Sequence, residues 1–261
     1  MSRIPSLPSP PSPDELKKRV QDNVVWKSIF RPGSIYRKGY RDTSRDRALA
    51  AMNNVLYHLH PVKVKRHGLK LTYTYCLGGM SFFLFILLTV TGIFLMFFYR
   101  PSAGAGQELA YLDMQRITAV VQFGDLVRNM HRWGAHLMVF TTFLHMARVF
   151  YHGAYKPPRE FNWVVGVLLL FLTLGLCFTG YLLPWDQIAF WAITVGTQMA
   201  SYAPLAAQEG AFILLGGIEV GQGTLLRFYV GHVILLPLIA AIFMIVHFGR
   251  IRKDGGISGP V

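Results

Sequence analysis

Four of the nine histidines, His131, His145, His232 and His247, lie in apolar stretches at intervals of 14 and 15 residues. A helix turns about 100° and rises about 1.5 Å per residue, so each interval returns the two rings to within roughly 60° of one face, about 21 to 23 Å apart. Two such helices side by side hold four imidazoles as two stacked pairs. A neutral imidazole on each side of haem iron completes its six-coordinate sphere. The chemistry this spacing allows is therefore two bis-histidine haems, one above the other. A single histidine here could equally be a hydrogen-bonded interior residue; four at matched intervals favour ligation.

The elements that must carry these residues are membrane helices. Of 261 residues 52% are hydrophobic, and they form long blocks rather than periodic stripes. Residues 71–99, 163–183 and 228–248 carry no charge and reach the roughly 20 residues that cross a bilayer. A fourth span at 130–150 is the weakest by hydropathy, because it has three histidines and is flanked by Arg132 and Arg148. Polar groups retained in such a segment usually face the bundle interior. Residues 188–199 are uncharged but too short to span, which suits an interfacial or re-entrant helix between the third and fourth spans. The expected fold is all-α: four transmembrane helices forming a haem-binding bundle, plus that short helix.

The net charge of +13 is unevenly spread, with 15 Lys and Arg against 5 Asp and Glu in residues 1–72 and 11 against 8 in the rest. The N-terminal tail, the 152–160 loop and the C-terminus are basic, while the other two connections hold most of the acids. The positive-inside rule then puts both termini on the cytoplasmic side of a cell or energy-transducing membrane, as an even number of spans requires. The second and fourth spans run parallel, so His131 pairs with His232 near the outer face and His145 with His247 near the cytoplasmic face. A basic tail also suits an anionic lipid surface; nucleic acid is not expected, since no binding motif accompanies the charge.

Residues 1–70 read as a basic, Pro-rich cytoplasmic extension ahead of a bundle domain at 71–261. Residues 14–30 place apolar side chains at helical spacing, which suits either an amphipathic helix on the membrane or a solvated linker helix. His58, His60 and His67 have no assigned role, and His136, five residues from His131, lies on another face. Cys76 and Cys177 define no disulfide framework, and no signal peptide is evident.

Gly78 and Gly92 in the first span, and Gly166 and Gly180 in the third, repeat the 14-residue interval. Small residues commonly allow close helix packing, but the shared interval points to clearance for a haem edge. Arg128, Arg132 and Arg148 bracket the second span, where a guanidinium could pair with a haem propionate or snorkel to lipid headgroups.

Several stretches together resemble cytochrome b of the cytochrome bc complexes, in the short, split form of b6f-type and bacterial menaquinol complexes. They are Tyr75-Cys76-Leu77-Gly78-Gly79, His131-Arg132-Trp133, Lys156-Pro157-Pro158-Arg159-Glu160, Gly180 to Gln187 with its Pro184-Trp185-Asp186-Gln187 turn, Arg227-Phe228-Tyr229, and 251–260. The resemblance covers residues 72–261 and implies a subunit that carries electrons from an outer quinol-oxidation site to a cytoplasmic quinone-reduction site while protons are translocated. It implies two haem b, and a third haem, a covalent haem c of the ci type, held by Cys76 with Arg252 nearby. Pro184, Trp185, Asp186 and Gln187 are implied to line the outer quinol pocket.

The Pro-Glu-Trp/Tyr motif that supplies the family's proton-accepting glutamate is absent, so a three-helix partner like subunit IV is implied. A Rieske iron-sulfur protein, a c-type cytochrome and a dimeric complex are implied with it. The prefix of about 60 residues and the extra glycine at 255 or 256 depart from the family pattern. A different class, a di-haem membrane anchor for a quinone-linked dehydrogenase or hydrogenase, would also carry paired histidines. It would predict neither a haem on Cys76 nor the Pro-Trp-Asp-Gln turn, and a non-redox scaffold would make the histidine spacing coincidental.

Overall fold

The computed structural model describes residues 12–30, 43–44, 66–104, 109–202 and 207–257, and among them it is helical, with no strand. Near the N-terminus, α1 (Pro13–Asp22) opens on a capping box: Ser12 Oγ accepts from the Glu15 N–H, and the Glu15 carboxylate accepts from the Ser12 N–H. Asn23 takes an extended backbone, and its Oδ1 accepts from the Val25 N–H at 2.8 Å to start α2 (Val24–Phe30). Two short helices therefore stand where one was expected over 14–30.

The second of these is anchored. Ser28 is buried in the contact of α2 with the later helix α7. Its hydroxyl donates to the Pro158 carbonyl at 3.0 Å, and Arg250 donates to both its carbonyl and its Oγ at 3.0 Å. Arg250 also pairs with buried Asp254 at 2.7 Å. Expected features at residues 1–11 and 45–65, including His58 and His60, lie outside the described residues.

The first apolar stretch, expected as one helix over 71–99, is broken. One turn, α3 (Leu71–Thr74), is followed by Tyr75 and Cys76, both at φ 50°, and then by α4 (Leu77–Met96). Left-handed backbone is costly for residues with a Cβ, and two in succession turn the chain and leave Cys76 exposed as the N-cap of α4.

Helices α5 (Leu109–Ala119), α6 (Gly124–Tyr151), α7 (Glu160–Leu182), α8 (Gln187–Ser201) and α9 (Ala207–Leu215) follow. Then come α10 (Gln222–Val230), a π turn at Gly231–Leu235, and α11 (Leu236–Asp254). Helices α5 and α9 lie in connections expected as plain loops. Helix α6 extends beyond the expected 130–150 at its N-terminal end, where Asp125 is exposed and Arg128 bonds to α5. Among the described residues, three helical stretches are long and apolar enough to cross a membrane: Leu77–Met96, Glu160–Leu182 and Gln222–Asp254.

Helix α4 packs chiefly on α6 and α11 chiefly on α7, while α6 touches α7; the histidine-bearing helices α6 and α11 face each other across a gap. The burial pattern is inverted relative to a water-soluble bundle. Thr91, Thr141, Thr173, Thr179 and Thr197 are buried, whereas Phe83, Val90, Phe143 and Phe171 are more than 60% exposed. That outer surface suits a hydrocarbon environment.

One end of the bundle is closed by a core of Tyr99, Ala110, Ile117 and Leu225 and a second of Leu182, Ile193 and Phe228, with Trp185 packed against both. Tyr99 donates to the Leu183 carbonyl at 2.6 Å. Buried Asp113 accepts from Arg100 Nε at 2.8 Å, from Nη2 at 2.7 Å and from its backbone N–H at 3.0 Å. The hydrogen bonds from Arg100 hold the Asp113 carboxyl below the usual carboxylate range. This pair fixes α5 across the end of α4.

Candidate functional site: two imidazole pairs

The four histidines meet as two pairs. The ring centres of His131 and His232 are 6.2 Å apart with planes at 73°, and those of His145 and His247 are 6.4 Å apart with planes at 81°. The unequal intervals of 14 and 15 residues reach the same result through a local feature. His131 and His145 lie on unbroken α6, whereas His232 lies in the Gly231–Leu235 π turn. A π turn accommodates one residue more than an α turn, so the longer interval returns to the same face. Pro237, which cannot donate a backbone hydrogen bond, follows directly in α11.

Each of the four glycines faces one ring. A Cβ on Gly78 would lie 3.2 Å from His145 Cε1, one on Gly92 3.3 Å from His131 Cε1, one on Gly166 3.7 Å from His247 Cε1, and one on Gly180 2.6 Å from His232 Cε1. At Gly78, Gly92 and Gly180 the missing Cβ thus admits the imidazole, whereas the contact at Gly166 would be an ordinary one.

Two threonines, absent from the expected site, complete the His131/His232 level. Thr91 Oγ1 is 2.9 Å from His131 Nδ1, and Thr179 Oγ1 is 3.1 Å from His232 Nδ1. Each directly precedes a ring-facing glycine, so a repeated Thr-Gly dipeptide at 91–92 and 179–180 was the available signal. At the other level Leu77 and Val165, which carry no hydroxyl, occupy the equivalent positions.

Open spaces adjoin both pairs. One of about 1130 Å³ is lined by His145, His247, Gly78, Gly166, Arg159 and Asn162 among others, and one of about 720 Å³ by His131, His232, Gly92, Leu176 and Cys177 among others. No cluster of three or more His, Cys, Asp or Glu able to hold a bare metal ion occurs among the described residues.

The remaining expected residues are distributed around these levels. Arg128 donates to Thr118 of α5 at 3.1 Å, and Arg132 is exposed on α6. Arg148 lies over the Tyr75 ring, 4.6 Å from its centre, beside Cys76. Arg252 is half-buried near the end of α11. His136 is exposed, edge-on to Trp133 at 5.4 Å. In the 184–187 turn, Trp185 has φ 54° and Asp186 caps α8, accepting from the Ala189 N–H at 2.8 Å.

Residues 62–255 match the family described as cytochrome b/b6/petB. The chain belongs to the cytochrome b/b6 family. Cytochrome b6 of Heliomicrobium gestii is 46% identical over 202 residues, covering 77% of this chain and 91% of that protein. Cytochrome b6 of Porphyra purpurea is 45% identical over 187 residues, covering 72% of this chain and 85% of that protein. A solved chain of a hyperthermophilic respiratory Complex III superposes with a TM-score of 0.63 at 28% identity, over 84% of this chain. This chain spans 55% of that solved one. Haem binding and membrane electron transport are expected of cytochrome b/b6 proteins, and both imidazole pairs fall within the matched region.

Proposed function

We propose that this chain is the di-haem electron-transfer subunit of a quinol:cytochrome c or plastocyanin oxidoreductase, with one bis-histidine haem b at each imidazole pair. The spacing of the pairs carries this reading. A metal bonds an imidazole nitrogen at about 2.0 Å with the ring centre about 1.1 Å behind it, so two rings on one iron sit about 6.2 Å apart. The observed separations are 6.2 and 6.4 Å. Each level offers only two protein ligands, which suits a macrocycle that brings its own equatorial nitrogens. Gly78, Gly92 and Gly180 support the same fit, because the Cβ they lack would crowd the rings.

The bound haems supply reversible one-electron chemistry at iron. His131 with His232, and His145 with His247, hold them at two depths of a four-helix transmembrane bundle composed of α4, α6, α7 and α10–α11. Thr91 and Thr179 keep the Nδ1 proton of the first pair, leaving Nε2 as the ligand. The basic 152–160 loop and chain ends support a cytoplasmic position for the His145/His247 level. Electrons taken from a quinol near the 184–187 turn then serve quinone reduction at the opposite face, with α8 as the interfacial helix.

In this reading Cys76, exposed at the start of α4 and close to Arg148 through Tyr75, attaches a third, covalent haem with Arg252 nearby. The bundle domain at 71–261 works with separate chains: the solved relative is nearly twice the length covered here, which fits a three-helix companion subunit. The Rieske protein, a c-type cytochrome and a dimeric assembly belong to the same proposal. Single substitutions test the pairs: His131→Ala should remove one extractable haem and leave the other, and His145→Ala should do the converse. Retention of both haems in either variant overturns the assignment.

A further inference from the structure

The two imidazole levels are chemically unequal, and the inequality lies in Thr91 and Thr179. Each hydroxyl has a single proton, which Thr91 gives to the Leu87 carbonyl and Thr179 to the Gly175 carbonyl, both at 2.8 Å. What remains at each Oγ1 is a lone pair, 2.9 and 3.1 Å from the Nδ1 of His131 and His232. The imidazole must therefore donate. An acceptor on Nδ1–H pulls the ring toward imidazolate and makes Nε2 a more basic ligand, an effect enlarged in a dry interior. A more basic ligand favours the ferric over the ferrous state. At the other level the residues preceding the ring-facing glycines are Leu77 and Val165, which have no hydroxyl to offer an imidazole.

We propose that Thr91 and Thr179 are positioning residues that lower the reduction potential of the haem at His131/His232 relative to that at His145/His247. The proposal rests on the bis-histidine reading of both pairs.

Equilibrium redox measurement on the purified complex tests it, with His131→Ala and His145→Ala assigning the two signals. In Thr91→Val and Thr179→Val the reduced-to-oxidised ratio of the His131/His232 haem at fixed ambient potential should rise threefold to tenfold, tenfold being about 59 mV for one electron. The His145/His247 haem should be unmoved, and Thr→Ser should restore the original value. An unchanged ratio in the double valine variant, or a shift confined to the other haem, overturns the proposal. If the valine variants lose the haem, Thr91→Ser and Thr179→Ser carry the test: a haem at the original potential supports the hydroxyl acceptor, and a shifted one overturns the proposal. Absence of either haem from the unsubstituted complex would instead overturn the bis-histidine reading.

Discussion

Gly180→Ala should empty the His131/His232 level selectively. A Cβ there lies 2.6 Å from His232 Cε1, 3.1 Å from Nε2 and 3.2 Å from Nδ1, whereas ordinary contact begins near 3.4 Å. The imidazole must move by about 0.8 Å, a large error for a ligand whose bond is about 2.0 Å long. Overpacking of this kind costs about 1–3 kcal/mol, or roughly 5- to 150-fold in haem affinity. Gly166→Ala is the control, since its Cβ would approach His247 Cε1 only to 3.7 Å. On helix propensity alone both substitutions gain up to about 1 kcal/mol, so the sign separates steric from propensity effects. The assay is the haem-to-protein ratio of the purified complex, with the optical spectrum of whatever haem remains. Full occupancy and an unchanged spectrum in Gly180→Ala, or greater loss in Gly166→Ala, would refute the reasoning.

Further expectations follow from other contacts. Cys76→Ser should abolish haem-dependent peroxidase staining of the denatured chain while two haems remain extractable by acid acetone; an unstained unsubstituted chain removes the third haem. Asp113 has its folded-state pKa depressed by Arg100, so its contribution to stability is full above the ordinary carboxylate pKa and is lost as pH falls through the lower, folded value. Asp113→Asn should flatten that acid limb in thermal unfolding, and an unaltered acid limb would contradict the pairing. Deleting one residue within 233–235 should convert the π turn to α-helix and retain both haems, whereas a deletion between His131 and His145 should lose one. Ser28→Ala removes hydrogen bonds to Pro158 and Arg250, each worth about 1 kcal/mol, and should speed proteolysis within residues 12–30; unchanged cleavage would mean α2 is held by other contacts.

The pairing of the histidines was legible in the sequence because helical periodicity and alternating span direction are strong constraints. So were the ring-facing glycines, although the interval alone did not reveal that they admit imidazoles. The break at Tyr75-Cys76 was not legible, since neither residue is the glycine or asparagine that usually marks left-handed backbone. Helices α5 and α9 escaped because their mixed or short apolar patterns resemble loops, and α5 is fixed by a tertiary ion pair to Arg100. The π turn had one local hint in Pro237, and the threonines had theirs in the repeated Thr-Gly step. The contact of Ser28 with Arg250 joins residues 222 positions apart, beyond the reach of local pattern.

Haem stoichiometry and ligation of the unsubstituted chain test the central claim most directly. Extraction combined with near-infrared magnetic circular dichroism should find two non-covalent haems per chain, both low-spin with two imidazole ligands. One such haem, none, or an extractable haem lacking a second imidazole ligand would contradict the account.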